Sequence, residues 1–213
     1  MLYNSEKAAE SRFLGPGRPR AAGAPDKARR IQGNAFPRTG QVNVLYKNII
    51  FDLGGVVVDF DPREFLVDHF MNERVEDQLY DITFGSEEWL QMDAGLLTRE
   101  EGDRIMREKG AALRRSFEVG VILDDWYDML RTKDDTVQLI KRLKKRGYGV
   151  FYLSNISWDV LEMLQQRKFW QLFDGGVASC EVKLTKPDLR IYHALLAKYG
   201  LSAAESIFID DNT

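Results

Sequence analysis

Three short apolar runs, each closing on a polar or acidic group, give the chain its frame. Asn48–Ile49–Ile50–Phe51 opens into Asp52-Leu53-Gly54-Gly55, and Gly149–Val150–Phe151–Tyr152–Leu153 closes on Ser154-Asn155. Ser206–Ile207–Phe208–Ile209 closes on Asp210-Asp211-Asn212. Continuous apolar runs of strand length predict strands buried on both faces, as in a parallel sheet. A weaker run, Gly176–Val177–Ala178–Ser179, predicts a further strand. Helical periodicity separates these runs. Thr136–Arg146 places Val137, Ile140 and Leu143 on one face, and Lys141, Arg142, Lys144 and Lys145 form a solvated surface rather than a binding patch. Trp158–Arg167 turns Val160, Leu161 and Leu164 inward, and Pro187–Tyr199 carries proline at its first turn and stops before Gly200, the preferred asymmetry of helix ends. Strands alternating with single helices predict right-handed βαβ units, hence an α/β fold with a Rossmann-like parallel sheet.

Between Asp61 and about Asp135 the strand pattern disappears. Glu64–Met71, Val75–Ile82, Ser86–Leu90, Thr98–Lys109 and Ala112–Val119 read as helices, and Thr98 with Glu101 forms a capping-box start. A helical block between the first and second strands predicts a cap over residues 64–132, inserted into a core of residues 45–63 and 133–213.

Composition narrows the chemistry. The chain has 213 residues with 30 basic and 33 acidic side chains, a net charge of −3 that gives no global case for a nucleic-acid partner. Residues 1–44 differ from the rest: they hold four of the six prolines, five glycines, and eight basic against three acidic residues. Sparse, aperiodic apolar positions there predict a disordered basic tail. The single cysteine, Cys180, excludes a disulfide framework and a Cys-built zinc site. With no secretory leader, it predicts a reducing cytoplasm. No apolar run approaches the ~18 residues that a membrane-spanning helix needs. His69 and His193 lie far apart and read as ordinary helix residues, and Gly15-Pro16-Gly17 lacks the strand–helix context of a nucleotide loop. Chemistry is left to carboxylates, hydroxyls and lysine.

Those groups sit at strand ends: Asp52, Ser154 with Asn155, and Asp210 with Asp211. In an open parallel sheet the carboxyl ends of the strands meet in one crevice, which Lys186 can reach from the loop before Pro187. Clustered carboxylates cannot all stay ionised without a cation. Oxygen-only ligands select a hard ion, Mg²⁺ being the usual choice beside a phosphate. A screened aspartate can attack phosphorus to give an acyl-phosphate, while Ser154 and Lys186 stabilise the equatorial oxygens.

The same segments resemble the four motifs of the haloacid dehalogenase-like superfamily, in order. Phe51-Asp52-Leu53-Gly54-Gly55-Val56-Val57-Val58-Asp59 is similar to the first motif and Leu153-Ser154-Asn155 to the second. Lys186-Pro187-Asp188 is similar to the third and Phe208-Ile209-Asp210-Asp211-Asn212 to the fourth. The helical insert resembles a C1-type cap, and the whole looks most like the branch of sugar-phosphate phosphatases that includes bacterial glucose-1-phosphate phosphatase. The resemblance implies Asp52 as nucleophile and metal ligand and Gly54 as a backbone carbonyl ligand. It implies Ser154, Asn155 and Lys186 as phosphoryl contacts, and Asp210 with Asp211 as the remainder of a Mg²⁺ site. The implied substrate is a small phosphate ester, expected to be a sugar phosphate.

Two departures stand out. Most phosphatases of the superfamily carry an acid–base aspartate two positions after the nucleophile, where this chain has Gly54; losing such an acid costs ~10²–10⁴-fold. A good leaving group, such as an anomeric oxygen, softens that loss. Dehalogenase relatives also lack that aspartate, but need no metal and usually lack the doubled acid seen here in Asp210-Asp211. Related chains also continue past the fourth motif, so the ending at Thr213 predicts a C-terminally truncated core. The rival readings are carbon–halogen hydrolysis through the same Asp52, and a catalytically silent binding or regulatory module. Asp59 and Asp61 offer themselves as replacement acids but read as an exposed turn. Trp89, Trp126, Trp158 and Trp170 read as packing residues, one on the insert being a candidate pocket wall.

Overall fold

The computed structural model describes residues 46–211; the expected tail over residues 1–44 lies outside them. The described residues form four parallel strands, β1 (Asn48–Phe51), β2 (Gly149–Ser154), β3 (Gly175–Ala178) and β4 (Ser206–Ile209), in the order β3-β2-β1-β4. Asn48 is in register with Gly149 on one side and Ser206 on the other. The chain steps from β1 out to β3 and then returns to the far side of β1, so the order reverses between β1 and β4. That switch point is where open α/β sheets bind ligands.

Between β1 and β2 lie α1 (Pro62–Phe70), α2 (Glu73–Ile82), α3 (Glu87–Asp93), α4 (Arg99–Ala112) and α5 (Ser116–Asp125). The later helices are α6 (Asp134–Lys145), α7 (Trp158–Gln165), α8 (Ser179–Val182) and α9 (Leu189–Tyr199). The strands' period of two divides the core. Ile49, Phe51, Val150 and Tyr152 pack with Val137 and Ile140 of α6, Val160 and Leu164 of α7, and the apolar side of the insert. Ile50, Phe151, Leu153 and Val177 face Ile191 and Leu195 of α9. Among the described residues no helix is long and apolar enough to cross a membrane.

Local chemistry sets where the helices begin. Thr98 caps α4 in the expected capping box with Glu101. Asp61 caps α1 by accepting from the Glu64 N–H, and Asp59 pairs with Lys133 at 3.5 Å, so both have structural work in the turn. Other boundaries differ from the sequence reading. The helix expected from Pro187 starts at Leu189, because Asp188 accepts from the Arg190 N–H and becomes its cap. A helix over 112–119 does not form: the chain reverses at Arg114 (φ 58°), and α5 starts at Ser116. The third strand ends at Ala178, one residue early, because Ser179 opens α8. Trp89 and Trp126 are buried as expected, whereas Trp158 is half exposed; it opens α7 while Val160, Leu161 and Leu164 turn inward.

Candidate active site

The strand ends converge. Asp52 follows β1, is buried, and donates its backbone N–H to the Ile209 carbonyl of β4 at 2.8 Å. This bond carries the sheet one residue beyond β1 and sets Asp52 beside Asp210. Lys186 joins the two: its Nζ donates to Asp52 Oδ2 at 2.6 Å and to Asp210 Oδ2 at 2.7 Å. Ser154, at the end of β2 and buried, hydrogen-bonds the Asp52 carboxylate. Asn155 fixes the lysine. Its Nδ2 donates to the Lys186 carbonyl at 3.1 Å and its Oδ1 accepts the Lys186 N–H at 2.7 Å.

The turn after Asp52 is shaped by its glycines. Gly55 has φ +69°, and a Cβ there would lie 2.0 Å from Asp211 Oδ2. Left-handed backbone and close approach of a carboxylate both require glycine. Gly54 is under no such constraint, since its Cβ would meet Phe60 Cβ at an ordinary 3.5 Å. Lys133 Nζ donates to the Gly55 carbonyl at 2.7 Å and ties the turn to the start of α6.

Asp52, Asp210 and Asp211 each bring a carboxylate oxygen within 4.8 Å of the others. Among the described residues, Lys186 is the cation hydrogen-bonded to this group, bridging Asp52 and Asp210. Burial pushes the Asp52 carboxyl above the usual carboxylate range, although Lys186, Ser154 and the Leu53 N–H all favour its ionised form. Burial also disfavours the Lys186 ammonium, yet the Asp52 and Asp210 carboxylates hold its proton more tightly than usual. An all-oxygen donor set of three converging carboxylates fits a small hard cation such as Mg²⁺.

Behind this cluster a cavity opens between sheet and insert. Gly54, Ser154 and Asn155 border it from the core, and Trp89, Asp93 and Trp126 from the insert. Arg99 of α4 braces the lining residues, donating from Nη2 to Ser157 Oγ at 3.3 Å and from Nε to Asp159 of α7 at 3.1 Å. Its guanidinium lies over the Trp89 and Trp126 rings at 4.9 and 5.1 Å. Sequence patterning singled out neither Asp93 nor Arg99, because both stand at ordinary helix ends and reach the site only through the packing of the insert.

Residues 46–213 match the family model of the haloacid dehalogenase-like hydrolases. The chain belongs to that family. It is 29% identical to a sesquiterpene phosphatase of Aspergillus oryzae, over 78% of this chain and 81% of that protein. It is also 29% identical to a glyceraldehyde 3-phosphate phosphatase of Methanothermobacter thermautotrophicus, over 56% of this chain and 64% of the relative. A haloacid dehalogenase-like enzyme of Bacteroides thetaiotaomicron, solved with magnesium and inorganic phosphate, superposes with a TM-score of 0.61 at 25% identity. That match covers 78% of this chain and 85% of the neighbour. The α/β Rossmann-like fold and the hydrolase class expected from sequence are thereby borne out.

Proposed function

We propose that this hydrolase cleaves a small phosphate monoester through an aspartyl-phosphate on Asp52, with Mg²⁺ as its cofactor. The observation that carries the reading is the meeting of Asp52, Asp210, Asp211 and Lys186 at the switch point of the sheet. Asp52, Asp210 and Asp211 would hold the ion, with the Gly54 carbonyl as a further ligand. Bound there, Mg²⁺ would screen the carboxylates and draw charge from the phosphoryl oxygens. Asp52 attacks phosphorus in line. Lys186 and Ser154 bind the equatorial oxygens as charge spreads over them. Asn155 holds Lys186 at its station through the paired backbone bonds, and borders the phosphoryl position. The helical insert acts as a cap that excludes water from the intermediate.

The family resemblance implied a sugar phosphate. The cavity walls favour another leaving alcohol: Leu53, Val58, Phe60, Trp89, Trp126 and Leu130 present mostly hydrocarbon, and contacts of that kind select apolar bodies. A relative that acts as a sesquiterpene phosphatase supports the same direction. The test is a panel of sugar, alkyl and prenyl monophosphates assayed with and without Mg²⁺, beside Asp52→Asn. Mg²⁺-dependent phosphate release that vanishes in the variant supports the reading. Equal release by both proteins, or halide release from a haloacid without Mg²⁺, overturns it.

A further inference from the structure

One ionisable side chain on the cavity has no part in the steps above. Asp93 closes α3 and borders the same cavity as Gly54, the position at which the chain lacks an acid. Its backbone is fastened to the core. Ser179 Oγ donates to the Asp93 carbonyl at 2.5 Å and accepts from the Ile156 N–H at 2.8 Å. Two residues on, Gly95 (φ +65°) passes so close that a Cβ would lie 2.4 Å from the Cys180 carbonyl oxygen. The Asp93 carboxyl makes no hydrogen bond to another described residue; Arg99, which bonds Asp103, Asp159 and Ser157 instead, acts on it only through space. A second polar group on the same cavity is also unmatched: Trp126 is buried, and its Nε1–H has no partner among the described residues.

We propose that Asp93 is the acid–base residue for the leaving alcohol, supplied by the helical insert in place of the aspartate absent at Gly54. This rests on the phosphatase reading above. As the Asp52 oxygen bonds to phosphorus, the bond from phosphorus to the ester oxygen breaks, and the Asp93 carboxylic acid gives its proton to the departing alkoxide. The Asp93 carboxylate then takes a proton from water while the water oxygen attacks the phosphoryl group. That step breaks the Asp52–phosphorus bond, releases inorganic phosphate and restores the Asp52 carboxylate and the Asp93 acid. A carboxyl that exchanges its proton near neutral pH suits both steps. Burial lifts the Asp93 carboxyl to about 7, opposed by Arg99 of α4 and reinforced by Asp159 of α7 and Asp52 after β1. Asp93 keeps some surface where it borders the cavity, while protein surrounds it elsewhere as densely as in the interior.

The experiment compares p-nitrophenyl phosphate, whose leaving phenolate needs no proton, with an n-alkyl or prenyl monophosphate, whose alkoxide does. In Asp93→Asn, kcat for the alkyl ester falls by ~10²–10⁴-fold, while p-nitrophenolate is released in the first turnover at close to the wild-type rate. The alkaline fall of wild-type kcat/KM for the alkyl ester, near pH 7, disappears in the variant. Equal losses on both esters, or an unchanged alkyl rate, overturn the assignment and leave the phosphatase reading intact. A wild-type chain that cleaves neither ester overturns both. Should Asp93→Asn fold poorly, a series of wild-type rates against leaving-group basicity decides the matter: a shallow dependence supports proton donation, and a steep one refutes it.

Discussion

Replacing Gly55 with alanine tests the tightest point of the site, and Gly54→Ala is its internal control. Gly55 stands at φ +69°, and the added methyl would lie 2.0 Å from Asp211 Oδ2 and 2.3 Å from its Cγ. Left-handed backbone costs an alanine about 1–2 kcal/mol, and the Asp211 side chain must swing away from Asp52 and Asp210. For a chain of this size about 1 kcal/mol lowers Tm by about 2–4 °C, so a fall of about 2–8 °C is expected without metal. Gly54 has no positive φ and leaves ordinary van der Waals room for a Cβ. There the loss of unfolded-state entropy makes alanine neutral or stabilising by up to about 1 kcal/mol. The assay is a thermal melt of wild type and both variants, with and without Mg²⁺. At Mg²⁺ about 100 times the wild-type Kd, wild type gains about 2.7 kcal/mol, and a site weakened tenfold gains about 1.4. Gly54→Ala should keep the full gain and Gly55→Ala the smaller one. If Gly55→Ala melts with wild type and responds fully to Mg²⁺, Asp211 is not held against the turn and the assigned cation site is wrong.

Lys186→Met removes the ammonium that the buried Asp52 carboxylate shares with the partly buried Asp210. Breaking a buried pair in this way costs about 3–5 kcal/mol, read as a lower urea midpoint that Mg²⁺ partly restores; an unchanged midpoint would count against the network. Asp159 is partly buried, which opposes ionisation, but Arg99 and the Tyr127, Ser157 and Arg99 hydrogen bonds hold its carboxyl below the usual range. A depressed folded-state value gives stability that is present above the unfolded value near pH 4 and is lost as pH falls through the lower one. Asp159→Asn should therefore flatten the acid limb of the urea midpoint against pH, and an identical limb would refute the pairing. Gly95→Ala forces a methyl to 2.4 Å from the Cys180 carbonyl at φ +65°. Its loss should exceed the about 1–2 kcal/mol of backbone strain alone, with amide exchange rising at Asp93–Gly95; a smaller loss would mean the insert is not docked there.

The strand-end half of the proposed site was legible because parallel strands announce themselves. A run such as Gly149–Leu153 has no solvent face, so it reads as a buried strand, and the polar residue that ends it must lie at the sheet's ligand edge. Asp52, Ser154, Asp210 and Asp211 follow from that rule without any knowledge of distances. Lys186 needed only a loop that reaches the same edge. The half drawn from the insert, with the proposed acid Asp93, was illegible for the opposite reason. Asp93 closes a short helix whose periodicity reports one buried face and nothing about what that face meets. Its place at the cavity comes from a hydrogen bond spanning 86 residues, Ser179 to Asp93, and from a glycine fitted against Cys180. Neither leaves a local pattern. The helix boundaries missed at Ser116 and Leu189 were lost likewise to single residues, a left-handed Arg114 and a capping Asp188. The division follows the physics of the fold: the sheet specifies its own edge by burial, whereas the insert acquires chemistry only by docking. On the proposed mechanism, a chain that keeps its strand ends and redraws its insert could then change its leaving group, and the source of its proton, without disturbing Asp52.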